Sequence, residues 1–155
     1  MKKQFSVETS FRQAHKGDVE TLLAFMAQLY RHDRIPWNEP QARAALTNLL
    51  ESPDLGLVWL IEHETGAVGY LVLALGYSLE YHGRDAFIDE IFIREDYRGQ
   101  GIGKTALKFA EEACRSLGVR ALHLEVERSN LSARAFYRGA GFEDHDRYLL
   151  TKWLK

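Results

Sequence analysis

The sequence predicts one domain over residues 1–155, α/β in class and more narrowly α+β, with a mixed central sheet of about six or seven strands and about four helices. Three observations carry this. After one short strand-like segment come two helix-patterned segments, and apolar strand-like segments then follow one another. Late in the chain a strand, a glycine-rich turn, a helix and a strand succeed one another as a βαβ-like unit, which brings parallel pairing into a sheet that hairpins make antiparallel. With 155 residues and 46% hydrophobic content, the chain can bury one sizeable core without staples.

Residues 5–11 (FSVETSF) alternate loosely and form the first expected strand. Asp18 stands as an N-cap ahead of Leu22, Phe25, Met26 and Leu29, whose spacing predicts a helix to about Tyr30. Two prolines and a tryptophan in residues 32–40 (HDRIPWNEP) predict an irregular connection, and residues 42–50 resume a helical pattern. Residues 57–61 (LVWLI) and 67–75 (AVGYLVLAL) flank Glu-His-Glu-Thr-Gly and predict a hairpin. Residues 87–93 (FIDEIFI) are another strand, feeding into EDYRGQGIGKT. Ala106, Leu107, Ala110, Ala113, Cys114 and Leu117 then draw the apolar stripe of a helix that Gly118 ends. A strand over 120–126, a short helix over 129–138 closed by Gly139 or Gly141, and a last strand over 146–154 complete the expectation.

Composition narrows the function classes. Lys and Arg total 20 against 22 Asp and Glu, a formal net charge of -2, so no global basic field recruits nucleic acid or an anionic membrane. No apolar run reaches the ~18 residues of a membrane span. Cys114 is the single cysteine and sits in a helix stripe, where a buried hydrophobe is expected, not a nucleophile. The opening MKKQFSVETSF has no apolar stretch of signal-peptide length, which makes the expected location cytoplasmic. The six histidines show no metal-ligand spacing, so no metal is expected.

The glycine-rich stretch at 99–103 resembles a nucleotide loop at first sight. A Walker A loop closing on Gly103-Lys104-Thr105 needs glycine where Arg98 stands, and a dinucleotide fingerprint starting at Gly99 needs glycine where Lys104 stands. Both fail on spacing. The context nonetheless makes an anion site: a strand, three glycines without Cβ atoms, and a helix start whose first N–H groups lack intrahelical partners at the positive end of the dipole. Arg98 and Lys104 add charge suited to a diphosphate.

Arg98-Gly-Gln-Gly101-Ile-Gly103 matches the Arg/Gln-x-x-Gly-x-Gly/Ala signature of the GNAT superfamily of acetyl-CoA-dependent N-acetyltransferases. Residues 124–142 (LEVERSNLSARAFYRGAGF) resemble that family's later motif through Asn130, Ala133, Tyr137 and Gly141-Phe142. The resemblance implies a GNAT fold, with acetyl-CoA as cosubstrate and its pyrophosphate held by the N–H groups of Arg98, Gly99, Gln100, Gly101, Ile102, Gly103 and Lys104. It implies a pantetheine arm along the strand edge at Ile91, Phe92 and Ile93, with a backbone N–H of Phe92 or Ile93 polarising the thioester carbonyl.

Asn130, Ala133 and Tyr137 share one helix face at i, i+3 and i+7, and the resemblance assigns Tyr137 the role of acid toward the departing thiolate. Asp89 and Glu90 are the candidate bases for an amine. Strand alternation sends neighbouring side chains to opposite faces, so one of the two is expected at the cleft. Tyr30, Asp33 and Trp37, with Asp89, are expected to contact the acceptor. Glu80, Asp85, Glu125 and Glu127 add to an acidic middle of the chain that favours a small cationic amine: a polyamine, an amino acid or an aminoglycoside. The expected reaction is direct transfer in a ternary complex. Acetylation of a protein amine and a non-catalytic acyl-CoA-binding module are its rivals, and a homodimer is left open.

Overall fold

The computed structural model describes residues 8–64 and 66–155. It contains two compact units, Met1–Leu124 and Glu125–Lys155.

The first unit is built on a five-stranded sheet in the order β1-β2-β3-β4-β5: β1 Ser10–Gln13, β2 Gly56–His63, β3 Gly66–Ser78, β4 Gly83–Ile93 and β5 Ala121–His123. The first four strands pair antiparallel and β5 joins β4 in parallel, so the sheet is mixed, as expected. Five strands among the described residues replace the expected six or seven. The first begins later than the sequence suggests, and residues 5–7 of that expectation lie outside the described residues.

One face of the sheet carries α1 Val19–His32 and α2 Glu39–Glu51. Leu22, Phe25 and Met26 of α1 and Leu46 of α2 pack there on Val58, Leu60, Tyr70, Val72 and Phe92, a burial of about 1.5–3 kcal/mol per large side chain. The opposite face carries α3 Ile102–Ser116, whose Ile102 and Ala106 meet Ile61 and Val68, with Ile91 and Ile93 alongside.

Local chemistry sets the helix limits. Asn38 Oδ1 accepts from the Gln41 N–H at 3.0 Å, so α2 starts three residues before the expected 42, with Pro40 in its first turn, where a missing N–H costs nothing. Helix α3 ends as its glycine predicts. Gly118 is left-handed (φ 72) and its N–H bonds Arg115 O, while Val119 N–H bonds Cys114 O at 2.9 Å, a Schellman closure. Asp18 occupies the N-cap of α1 without making a side-chain cap. Its carboxylate instead receives two bonds from Arg12, each 3.0 Å, and one from the His15 N–H at 2.9 Å.

The second unit is organised around α4 Leu131–Gly139. Asn130 Oδ1 accepts from Ala133 N–H at 3.2 Å and caps it. Arg138 and Arg134 pair with Asp144, and Arg128 lies over the Tyr148 ring at 4.9 Å. The expected strand over 146–154 is absent, and the strand expected over 120–126 stops at His123. A run of apolar residues makes a strand only where a ladder partner completes its backbone hydrogen bonds, and residues 146–154 have none within their own unit.

Candidate active site

Strand β4 shapes the site through two departures from a regular ladder. The first is on its β5 side. Parallel pairing covers Asp85↔Ala121, Ala86↔Leu122 and Phe87↔His123 and goes no further, while β4 continues to Ile93. The β4 edge at Ile91, Phe92 and Ile93 therefore has no strand partner on that side among the described residues. Their side chains are fixed by the core: Phe92 packs under α1, Ile91 and Ile93 toward α3.

The second departure is a bulge. On the β3 side Leu73 faces Ile88 and Val72 faces Glu90, and the register skips Asp89. An extra residue interrupts the two-residue alternation. This corrects the expectation that only one of the two acids reaches a given cleft, because Asp89 and Glu90 line the same pocket under α1 and α2.

Glu90 is the anchor of that pocket. Its Oε2 accepts from the Tyr30 hydroxyl at 2.6 Å and its Oε1 from the Tyr70 hydroxyl at 2.7 Å. Burial pushes its carboxyl above the ordinary range, more than the two phenol bonds pull it down, with Asp89 and Asp33 adding repulsion. Desolvation raises Asp89 as well. Burial, with the bond to the Glu90 carboxylate, lifts both phenols above the usual tyrosine value. A carboxylate capped at both oxygens retains a lone pair on each for an incoming ammonium.

Tyr30, expected only as an acceptor contact, stands beside the acids, and Trp37 meets it edge-on at 5.3 Å. Asp33 is exposed and pairs with His32 at 3.0 Å. Tyr70 was missed. Its hydroxyl inside the apolar run AVGYLVLAL was the signal, since a buried phenol needs a partner. The apolar walls, Leu22, Met26, Leu46, Leu49, Val58 and Val72, read as ordinary core in the sequence. Asp85 pairs instead with His123 at 3.2 Å.

Beyond β4 the chain turns through residues 95–97 into the N-terminus of α3. Gly99 and Gly101 hold left-handed conformations (φ 75 and 81), and a Cβ on either would meet no atom within 4 Å. Space and conformation fit an anion approaching the first N–H groups of the helix. Ile102 is buried, packed with Ala106 against Ile61 and Val68. Lys104 and Gln100 are exposed. Arg98 is held back: its Nε donates to Ile93 O at 2.8 Å and its guanidinium lies 5.8 Å from the Phe92 ring, leaving its terminal nitrogens for a phosphate. Burial pushes the Cys114 thiol up to about 11, consistent with an inert core residue.

In the second unit, Asn130 and Ala133 form the α4 cap, and the Tyr137 ring packs against Phe136 and Phe142 at 5.4 and 6.0 Å.

The model of the acetyltransferase (GNAT) family matches residues 23–142. The chain belongs to that family. Membership makes it an N-acetyltransferase with acetyl-CoA as cosubstrate. It is 34% identical over 142 residues to the thialysine N-ε-acetyltransferase of Bos taurus, covering 86% of this chain and 83% of that one. It is 37% identical over 97 residues to the uncharacterized N-acetyltransferase YycN of Bacillus subtilis (strain 168), covering 63% of this chain and 61% of the relative's length. A crystal structure of an integron cassette protein from the mobile metagenome of Cole Harbour Salt Marsh superposes with a TM-score of 0.82 at 41% identity, covering 94% of this chain and 90% of that one.

Proposed function

We propose that this GNAT acetyltransferase moves the acetyl group directly from acetyl-CoA to the primary amine of a small cationic molecule, as a cytoplasmic enzyme whose residues 1–155 act as one catalytic domain. The observation that carries this is the construction of β4: an edge without a strand partner among the described residues leads into the glycine-rich start of α3, and a bulge brings two carboxylates to one pocket beside α1 and α2. The bovine relative, whose name places its action on the ε-nitrogen of thialysine, supports a small amine acceptor.

In this reading the N–H groups of Ile102, Gly103 and Lys104, with those of the preceding loop, hold the pyrophosphate. The open β4 edge pairs with the pantetheine amides, and the Phe92 or Ile93 N–H stabilises the oxyanion. Glu90, alone or with Asp89, draws the ammonium in and accepts its proton directly or through water. The freed nitrogen adds to the thioester carbon to give that oxyanion; as the C–S bond then breaks, Tyr137 gives its proton to the departing thiolate, and the surplus proton of the nitrogen leaves through water to restore the phenol.

Initial-rate measurements of thiol release with acetyl-CoA and an amine varied together test the reading. Intersecting reciprocal plots are expected, and parallel lines would indicate an acyl-enzyme route. Turnover of a peptide amine with none of free amines would move the assignment to a protein acetyltransferase, and coenzyme A binding without turnover to a regulatory module.

A further inference from the structure

We propose that the acceptor is a primary amine on a short apolar body, an alkyl chain of about four to six carbons or one aromatic ring, and not a polyamine or an aminosugar. This rests on the acetyl-transfer reading above and names the acceptor that the same site takes. The pocket between α1, α2 and the sheet has a volume of about 120 Å³, on the scale of a cavity that admits a benzene ring.

Its polar side chains are Tyr30, Tyr70, Asp89 and Glu90. Both phenols point at one carboxylate, and Asp89, exposed at the mouth of the same pocket, lies near enough to repel that carboxylate, so the polar groups gather at one place. One ammonium finds two acidic side chains there. The remaining wall is aliphatic, with Leu22, Met26, Leu46 and Val72 among its members. A second ammonium four carbons along, or the hydroxyls of a sugar ring, would lie against these side chains with no donor or acceptor to meet them, a desolvation left uncompensated. An alkyl or aryl body gains by the same burial.

The exposed Ala45 of α2 also lines the pocket, so Ala45→Phe narrows it without replacing a core residue.

The test measures kcat/KM by thiol release for propylamine through hexylamine and for benzylamine, beside 1,4-diaminobutane, spermidine and kanamycin. The expected result is a rise of about three- to fourfold per methylene up to pocket filling, with diaminobutane at least about 100-fold below butylamine. Ala45→Phe, folded by circular dichroism, is expected to lower the hexylamine-to-propylamine ratio about tenfold. Spermidine or kanamycin ahead of every monoamine, or an unchanged ratio in the folded variant, overturns the apolar acceptor and leaves acetyl transfer standing. Absence of thiol release with every amine overturns both.

Discussion

Tyr70 donates its hydroxyl to Glu90 Oε1 across 2.7 Å from a diagonal position on the β3–β4 ladder, where Tyr70 itself faces Phe92 and Val72 faces Glu90. Tyr70 is 1% exposed, so Tyr70→Phe leaves a half-buried carboxylate oxygen without its donor. Chemical denaturation should show a loss of about 1–3 kcal/mol.

Tyr30→Phe removes the bond to the other oxygen. That bond favours the charged carboxylate, so its loss raises the Glu90 carboxyl further. The acidic limb of the kcat/KM profile should move to higher pH in this variant, and an unmoved limb would assign the base elsewhere.

The raised Glu90 carboxyl also marks folding stability. The unfolded glutamate loses its proton near the ordinary value of about 4.3, and the folded one at higher pH. Between the two the folded state binds more protons, so the contribution of Glu90 to stability falls as pH rises. Glu90→Gln should remove this slope from the curve of Tm against pH and lower kcat.

Asp18 gives the opposite sign. The Arg12 guanidinium, followed by the His15 N–H, holds its carboxyl below the usual range against its partial burial. The stability it contributes is present above the unfolded carboxylate value and is lost as pH falls through the lower folded one. Asp18→Asn should lower the Tm at neutral pH and flatten the acid limb of the unfolding curve.

Gly101→Ala separates fold from ligand. The left-handed φ of 81 costs an alanine about 1 kcal/mol, and its Cβ meets no protein atom within 4 Å. Coenzyme A affinity measured by calorimetry should fall at least about tenfold, since the methyl enters the space proposed for phosphate. In the second unit, Tyr137→Phe should reduce kcat far more than it raises the KM for acetyl-CoA, and an equal kcat would remove its role as acid.

The glycine loop, the α3 stripe and the hairpin were legible because each is fixed by local chemistry: left-handed turns, helical periodicity, apolar runs broken by turn residues. The pairing of Asp89 with Glu90 in one pocket was not, because a bulge is a property of the ladder and leaves no mark in FIDEIFI. The start of α2 was hidden by Pro40, which signalled a break although the Asn38 cap places it in a permitted first-turn position. The strand expected over 146–154 lacked a partner within its unit, which no single segment reveals.

The bulge at Asp89 adds one residue and then restores the face of everything after it: Phe92 returns to the α1 side, Ile91 and Ile93 to the α3 side. Excising that single codon would therefore leave both hydrophobic layers in phase and Glu90 still turned toward Tyr70. The acid at 89 is, for the architecture, a dispensable insertion, and a shortened enzyme keeping its fold would isolate what the second carboxylate contributes to chemistry alone.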